Sequence, residues 1–442
     1  MKIQLSDSFN YRRLLRFTFP SIIMMIFTSI YGVVDGFFVS NYVGKTPFAA
    51  VNFIMPVIMV LGPIGFMFGA GGSALISKTM GEGNNEKAQK QFSLFVYTTI
   101  VCGIILSIFG IIFIRPIAEF LGAENELLEN SVIYARILLI SLPFQMLQYE
   151  FQSFFITAEK PQLGLITSLA AGITNIVLDA LFTAVFPFGL VGAAIATSIS
   201  QFVGGIIPLI YFSFKNSSLL RLQKTEFDSG SLIKAYTNGS SELMSNISMS
   251  IVNMLYNTQL MSYAGEDGVA AYGVLMYVNL IFLSAFIGYS TGVAPIIGYH
   301  FGAKNYNELK NLRKRSINII LIFSVGMILL AELLANPLAK IFVSYDAALL
   351  EMTVNAFKIF SFSFLFAGMA IFGSSFFTAL NDGLISALIS FLRTLVFQIA
   401  AVVILPIIWG LDGIWISIVI AEIMAVAVTV IFLIAKRTKY KY

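Results

Sequence analysis

The chain has 442 residues, of which 58% are hydrophobic and only 11% are charged, with a net charge of +4. The charged share is about half that of an average globular domain, and a water-soluble chain of this length could not hide so much apolar surface in one core. The single cysteine, Cys102, excludes an internal disulfide framework.

Twelve apolar stretches are long enough to cross about 30 Å of hydrocarbon, six in each half of the chain. The first begins after a cluster of arginines and is too long for the apolar part of a signal peptide, so we expect it to be retained. The predicted spans are 14–40, 48–78, 91–114, 127–157, 163–186, 189–214, 233–262, 268–299, 316–335, 349–379, 384–408 and 410–435. They predict an all-α integral membrane protein with 12 transmembrane helices.

The polar segments divide the chain into an N-lobe at 1–214, a linker at 215–232 and a C-lobe with a basic tail at 233–442. The linker is expected to be either an amphipathic surface helix or a solvated segment. Lysines and arginines concentrate before the first span, in the linker, in the tail and in every second loop. The positive-inside rule therefore places both termini in the cytoplasm.

The second half repeats the first at an offset of 221 residues. Gly71 aligns with Gly292 and Pro116 with Pro337, while a one-residue slip covers about 127–155. Because each half has an even number of spans, both enter the membrane in the same direction and are expected to be related by a pseudo-twofold axis along the membrane normal. A duplicated, apolar chain is typical of a two-lobed transporter with its binding site between the lobes.

Ionisable residues inside the hydrocarbon are costly and therefore functional candidates. Asp35, Asp179 and Thr197 lie at similar depths on three predicted helices, and Asn175 lies one turn from Asp179 on the same face. These side chains can form an oxygen cage for a cation such as Na⁺, or a carboxylate pair that shares a proton. The alternative is a structural role, in which they cap kinks or bond neighbouring helices.

The repeat separates these two interpretations. The offset of 221 places only uncharged residues at the four equivalent positions of the C-lobe, which are Tyr256, Val396, Ala400 and Ile418. Since the duplication kept the helices but not the polar set, the pattern favours a functional site in the N-lobe.

Three further acids lie within predicted spans. Glu242, Glu150 and Glu422 are candidates for direct contact with a cationic substrate. Glu242 alternatively serves as a negative charge near a helix N-terminus, and Arg393 is expected to pair with one of the three.

Helix 1 carries residues at which a helix can bend. Pro20 lies 15 residues before Asp35, and Gly32 and Gly36 flank that aspartate. We predict a hinge at Pro20 and Gly32, although small residues in membranes also mark close helix packing.

These features together resemble a known family. The segment Tyr-Gly-Val-Val-Asp-Gly-Phe-Phe-Val-Ser around Asp35, the segment Asn175-Ile-Val-Leu-Asp179, and Thr197 eighteen residues later are similar to the multidrug and toxic compound extrusion (MATE) family, in its prokaryotic DinF-like branch. The resemblance extends over roughly 14–435.

The resemblance implies a V-shaped, two-lobed antiporter in a prokaryotic cell membrane that exports organic cations in exchange for H⁺ or Na⁺. It implies an ion site at the four polar residues of the N-lobe, joined by Tyr134. Another branch of the family has an acid where this chain has Met249, and here the acid of that helix is Glu242 instead. The expected partners are an amphipathic cationic small molecule and the lipid bilayer, with no nucleic acid, no cofactor beyond the coupling ion, and a monomeric state.

Two other functions remain open at this point. A flippase for a lipid-linked sugar shares the broader fold and would need cationic residues in its cavity, for which Arg136, Lys358 and Arg393 are candidates. An enzyme is not expected, because the chain has one histidine, one cysteine and no recognisable nucleophile, metal cluster or phosphate-binding loop.

Overall fold

The computed structural model describes residues 3–186, 188–344 and 346–442. Their regular structure is helical throughout, with fourteen α-helices and three short π-helical segments. The α-helices are α1 (Tyr11–Phe38), α2 (Lys45–Leu61), α3 (Ile64–Gly81), α4 (Asn85–Phe120), α5 (Asn125–Thr157), α6 (Pro161–Asp179), α7 (Gly189–Ser213), α8 (Ser229–Gly302), α9 (Tyr306–Val343), α10 (Ala347–Ser361), α11 (Phe364–Ala379), α12 (Gly383–Phe391), α13 (Phe397–Ala435) and α14 (Arg437–Tyr440). The π-helical segments are Val39–Val43, Ala180–Val185 and Leu392–Val396.

Within the described residues, nine helical stretches are long and apolar enough to cross a membrane, and a helix pair bent by 48° makes a tenth. Two of the nine are double crossings: α8 turns at Gly265, and the stretch Gly383–Ala435 turns at Gly410. The part of the chain that the structure describes therefore contains twelve crossings, six in each lobe, which confirms the prediction.

The backbone repeats in the same way as the sequence. Gly44 and Gly265 have φ angles of 107° and 62°, and Gly189 and Gly410 both have 59°. Each pair is separated by 221 residues and lies where the chain turns between two crossings. A side chain at such positive φ angles is strained, so the duplicated turns both need glycine.

The two lobes meet at the end of the bundle that carries both termini and most of the basic residues, which we call the basic end. A Cβ atom on Gly71 would lie 1.9 Å from the carbonyl oxygen of Ala235, and one on Gly302 would lie 2.0 Å from that of Lys78. Only hydrogen fits at these positions, so backbones of opposite lobes are in direct contact. We call these contacts the glycine seal, which consists of Gly71, Gly81, Gly239 and Gly302.

The N-terminal segment also joins the lobes at this end. The amide of Leu5 donates a hydrogen bond of 2.8 Å to Glu159 of the N-lobe, and the amide of Phe9 donates one of 2.8 Å to Glu308 of the C-lobe. Both donor residues are fully buried. The segment thus spans the interface from one lobe to the other.

The linker between α7 and α8 runs along the basic end without forming a helix in residues 214–228. Leu220 is fully buried, and the amide of Gln223 donates to Ser93 of α4 at 3.0 Å. Asp228 caps the start of α8, where hydrogen bonds from the hydroxyl and amide of Ser231 lower the pKa of its carboxyl. The linker is therefore anchored to the N-lobe at one side and starts the C-lobe at the other.

Candidate ion and substrate site

Two π-helical segments begin next to the acids of the N-lobe. Asp35 lies one turn before the segment Val39–Val43, and Asp179 is the last residue of α6, directly before Ala180–Val185. Asp179 is fully buried and Asp35 is partly buried. A π-helical insertion rotates the following residues relative to the preceding turn, and it often accompanies functional sites.

The structure brings the predicted N-lobe residues together. The carboxyl groups of Asp35 and Asp179 are in contact, with Asn175 beside Asp35. The Thr197 hydroxyl donates to Asp35 Oδ1 at 3.4 Å. Among the described residues, no N–H or O–H group donates to either carboxylate oxygen of Asp179. Two carboxylate groups in contact are both hydrogen-bond acceptors, so a shared proton or a bound cation is needed to stabilise this contact.

Tyr134 lies next to this acid pair. Its side chain is 1% exposed and interacts electrostatically with both Asp35 and Asp179. No lysine, arginine or histidine of the described residues forms a salt bridge with either acid. A fully ionised pair would leave two unbalanced charges in a low-dielectric region, which is strongly unfavourable.

Glu150 lies elsewhere in the N-lobe. Its side chain is fully buried against α4, next to Thr99 and Cys102. The backbone at Glu150 also packs against α3, because a Cβ atom on Gly69 would lie 3.0 Å from the Glu150 Cα. The structure therefore places Glu150 inside the N-lobe and apart from the acid pair.

The two candidate acids of the C-lobe lie close to one arginine. Arg393 binds Glu422 through its Nε atom at 3.0 and 2.9 Å and through a terminal nitrogen at 2.9 Å. The side chains are 13% and 5% exposed. Glu242 on the first arm of α8 interacts electrostatically with the same Arg393. The three groups carry two negative charges and one positive charge when all are ionised.

This C-lobe cluster occupies the three crossings that are equivalent, at the offset of 221, to those of Asp35, Asp179 and Thr197, but it lies about one to four turns nearer the basic end. At the position equivalent to Asp35, the Tyr256 hydroxyl donates to Gln398 Oε1 at 3.0 Å and lies 2.6 Å from the hydroxyl of Ser417. A neutral, hydrogen-bonded tyrosine thus replaces the carboxylate.

The predicted hinge residues lie in an unbroken helix. Pro20 is buried within α1, which runs from Tyr11 to Phe38 without interruption. A Cβ atom on Gly32 would have no neighbour within 4 Å. Bending of α1 stays a prediction, with open space on the side of Gly32.

The cationic residues considered for a lipid-linked substrate do not meet. Arg136 and Lys358 are exposed, and Arg393 is neutralised by Glu422. The arrangement of these three residues does not provide a cationic cavity.

Sequence reasoning missed two groups of residues. It did not find the three π-helical segments, which have no recognisable sequence signal. It also passed over Gln148 and Gln152 of α5, which are buried at 5% and 2% exposure. Polar residues two positions on either side of Glu150, in an apolar span, were the available signal.

Comparison with known proteins agrees with this architecture. The sequence profile of the MatE family matches the chain twice, at residues 20–181 and 243–404, once in each lobe. The chain is 27% identical to the "Multidrug export protein MepA" of Staphylococcus saprophyticus over 441 residues, covering 97% of this chain and 94% of that protein. It is 26% identical to the protein of the same name from Staphylococcus aureus, covering 97% and 94%.

Solved structures show the same fold. An outward-facing multidrug resistance MATE family transporter superposes with a TM-score of 0.92 at 23% identity, covering 98% of this chain and 97% of that one. A MATE structure in a straight conformation has a TM-score of 0.92 at 22% identity, covering 98% of both chains. A bent conformation has 0.88 at 22% identity, covering 98% and 97%. The chain therefore belongs to the MatE (multidrug and toxic compound extrusion) family of membrane transporters, as its sequence predicted.

Proposed function

We propose that this protein is a secondary antiporter that exports organic cations across a bacterial cell membrane in exchange for protons, with both termini in the cytoplasm. The observation that carries the choice of ion is the contact between the carboxyl groups of Asp35 and Asp179. Two carboxylates in contact without a basic partner need either a shared proton or a bound cation, and we assign the proton, which the pair holds in one state and loses in another.

Export of drug-like cations is supported by the relatives. Proteins named as multidrug exporters align with the chain from end to end. The C-lobe supplies matching chemistry, because Glu242 and Glu422 together outnumber the single positive charge of Arg393. A cationic substrate near Glu242 would balance the remaining negative charge.

The coupling follows from competition for charge. In the outward-facing state a proton enters from outside and neutralises the acid pair. Neutralisation lets α1 repack around Pro20 and weakens the binding of the cation, which is released outside. By linkage, a bound cation must weaken proton binding by the same factor. The glycine seal keeps the cytoplasmic side closed during this exchange.

Transport in proteoliposomes tests the proposal, with a pH gradient and a Na⁺ gradient imposed separately and ethidium as the substrate. We expect ethidium to move when the pH gradient is imposed and to stay at equilibrium when only Na⁺ is imposed. The change Asp35→Asn removes one titrating group and should abolish pH-driven export. A matched control is Asp412→Asn, since Asp412 is an exposed aspartate of α13.

Three outcomes would overturn the proposal. Export driven by Na⁺ alone would identify Na⁺ as the coupling ion. Movement with neither gradient would exclude antiport, and coupled export by Asp35→Asn would exclude the acid pair as the coupling site.

A further inference from the structure

A small cavity with four polar side chains in its wall lies in the N-lobe between the acid pair and the basic end. It has a volume of about 10 Å³ and lies among α5, α6 and α7. Its polar walls come from Gln148, Gln152, Thr167 and Ser168. A cavity of this size holds about one water molecule, and only when polar groups line it.

The glutamines of this cavity lack partners. Both are more than nine-tenths buried, and neither the Nε2 atom of Gln148 nor either amide atom of Gln152 has a hydrogen-bond partner among the described residues. Buried amides without partners are costly, and bound water is the usual way to satisfy them. The cavity therefore has both the room and the hydrogen-bonding groups for water.

Tyr31 connects this cavity with the acid pair. It lies one turn before Asp35 on α1 and interacts electrostatically with it. Its ring packs against α6 close to the cavity wall, because a Cβ atom on Gly172 would lie 2.8 Å from the Tyr31 Cδ1 atom and Ser168 of the wall lies one turn before Gly172. Gln148 lines the same cavity and interacts electrostatically with Tyr31, so its side chain lies on the side of the cavity that faces the tyrosine. At the other end, Gly164 of the cavity wall lies about 5 Å along the helix axis from the start of α6.

We propose that this cavity is a hydration site through which the Asp35–Asp179 pair releases its proton to the cytoplasm, with Gln148 as the gate. The inference rests on the proton coupling proposed above. When the gate is open, an O–H bond of the acid pair breaks, Tyr31 accepts that proton while it donates its own to the cavity water, and the water passes the extra proton to the cytoplasm. The acid pair is left one unit more negative, and no other reactant is needed.

The gate follows from the chemistry of the amide. An amide side chain does not readily pass on a proton, so Gln148 interrupts the path while its side chain separates Tyr31 from the cavity. An uninterrupted path would dissipate the proton gradient whenever the acid pair faces outward. Gly204 allows Gln148 to fill this place, because a Cβ atom there would lie 2.5 Å from the Gln148 Cδ.

The gate is tested by the proton permeability of proteoliposomes that contain the full chain, with pyranine trapped inside and no ethidium present. We expect Gln148→Ala to collapse an imposed pH gradient that the wild type holds, because water then reaches Tyr31. Adding Asp35→Asn to this variant should restore tight liposomes. The matched control is Gln398→Ala, which removes a buried glutamine next to a tyrosine in the C-lobe, where the Tyr256 hydroxyl donates to it.

The hydration site is tested by Gln152→Leu, which keeps the side-chain size and removes the water ligands. Proton release into the cytoplasmic compartment after ethidium addition should slow by roughly a hundredfold, the loss expected when a positioned proton-transfer group is removed. Equilibrium binding of ethidium at fixed pH should stay at the wild-type value, which also reports correct folding. Gln152→His, which can hold and pass on a proton, should restore release.

The outcomes separate this inference from the proposed function. If the wild type shows no pH-driven export, the proposed function fails. If the wild type is coupled, yet Gln148→Ala stays proton-tight and Gln152→Leu releases protons at the normal rate, the release route is wrong and the proposed function stands.

Discussion

The buried ion pair of the C-lobe illustrates how one residue sets the charge balance of a membrane site. Arg393 is shared between Glu422, which it binds directly, and Glu242, which it attracts from nearby. Removing one partner of a buried pair leaves an uncompensated charge, which costs more than the pair itself contributes. The consequences therefore depend on which partner is lost.

We predict that Arg393→Met destabilises the protein by about 3–5 kcal/mol, because two acids are left without a counter-charge. Glu422→Gln should cost less, since Glu242 remains to balance Arg393. Thermal unfolding in detergent, followed by tryptophan fluorescence, measures both. The control is Arg115→Met, which breaks an exposed ion pair with Glu129 and should leave unfolding nearly unchanged. Equal losses for the two C-lobe variants would refute the shared role of Arg393.

Among the elements of the described chain, the three π-helical segments each lie next to a charged residue or contain one. One follows Asp35 by a turn, one begins directly after Asp179, and one contains Arg393. Each lies in a crossing that carries a charged residue in the membrane interior. A local loss of the regular hydrogen-bond register changes the direction of the neighbouring side chains, and it brings the charged groups towards their partners on adjacent helices.

The proline of α1 provides a prediction at the same scale. Pro20 lacks the amide that would bond the carbonyl one turn earlier, so Pro20→Ala should stabilise a straight α1 by about 3 kcal/mol. If bending of α1 is part of the cycle, pH-driven ethidium export should fall strongly while ethidium binding is kept. Pro116→Ala, which replaces an exposed proline inside α4, is the control. Export at the wild-type rate after Pro20→Ala would remove the hinge from the mechanism.

For the whole molecule, the main feature is the close contact between the two lobes at the basic end. Backbones of opposite lobes touch at the glycine seal, and the N-terminal segment bonds both lobes near the same end. The fold matches an outward-facing transporter closely. The exchange mechanism proposed above requires these contacts to separate during each cycle, so the seal must be tight but not strongly bonded.

We predict that Gly71→Ala opens the seal, because the added methyl group would overlap the carbonyl oxygen of Ala235 at a cost of about 1–3 kcal/mol. Opening is measured with a membrane-impermeant maleimide applied from the side of the basic end to Asn246→Cys, in a background with Cys102→Ser. Labelling should be faster in Gly71→Ala than in the parent. Gly273→Ala, where a Cβ atom has no neighbour within 4 Å, should label like the parent. Unchanged labelling in Gly71→Ala would show that the seal tolerates the methyl group.

The architecture and the residues of the acid pair were predictable from the chain. Apolar stretches of membrane length, the offset of 221 and the uneven basic loops are properties of local sequence, because the bilayer sets the length and the polarity of each crossing. The depth of a residue along a helix follows from the residue count, so the sequence alone predicts that Asp35, Asp179 and Thr197 lie at similar depths in the membrane.

Helix packing determined which side chains are in contact, and this cannot be obtained by counting residues along the chain. Which face of each helix meets its neighbour depends on helix rotation, on π-helical segments and on glycine contacts between residues far apart in the chain. Hence the pairing of Arg393 with Glu422, the position of Glu150 against α4 and the cavity between Gln148 and Gln152 appeared only in the folded molecule. The depth of a residue in the membrane depends only on its position along one helix, whereas its side-chain contacts depend on how several helices are rotated towards each other.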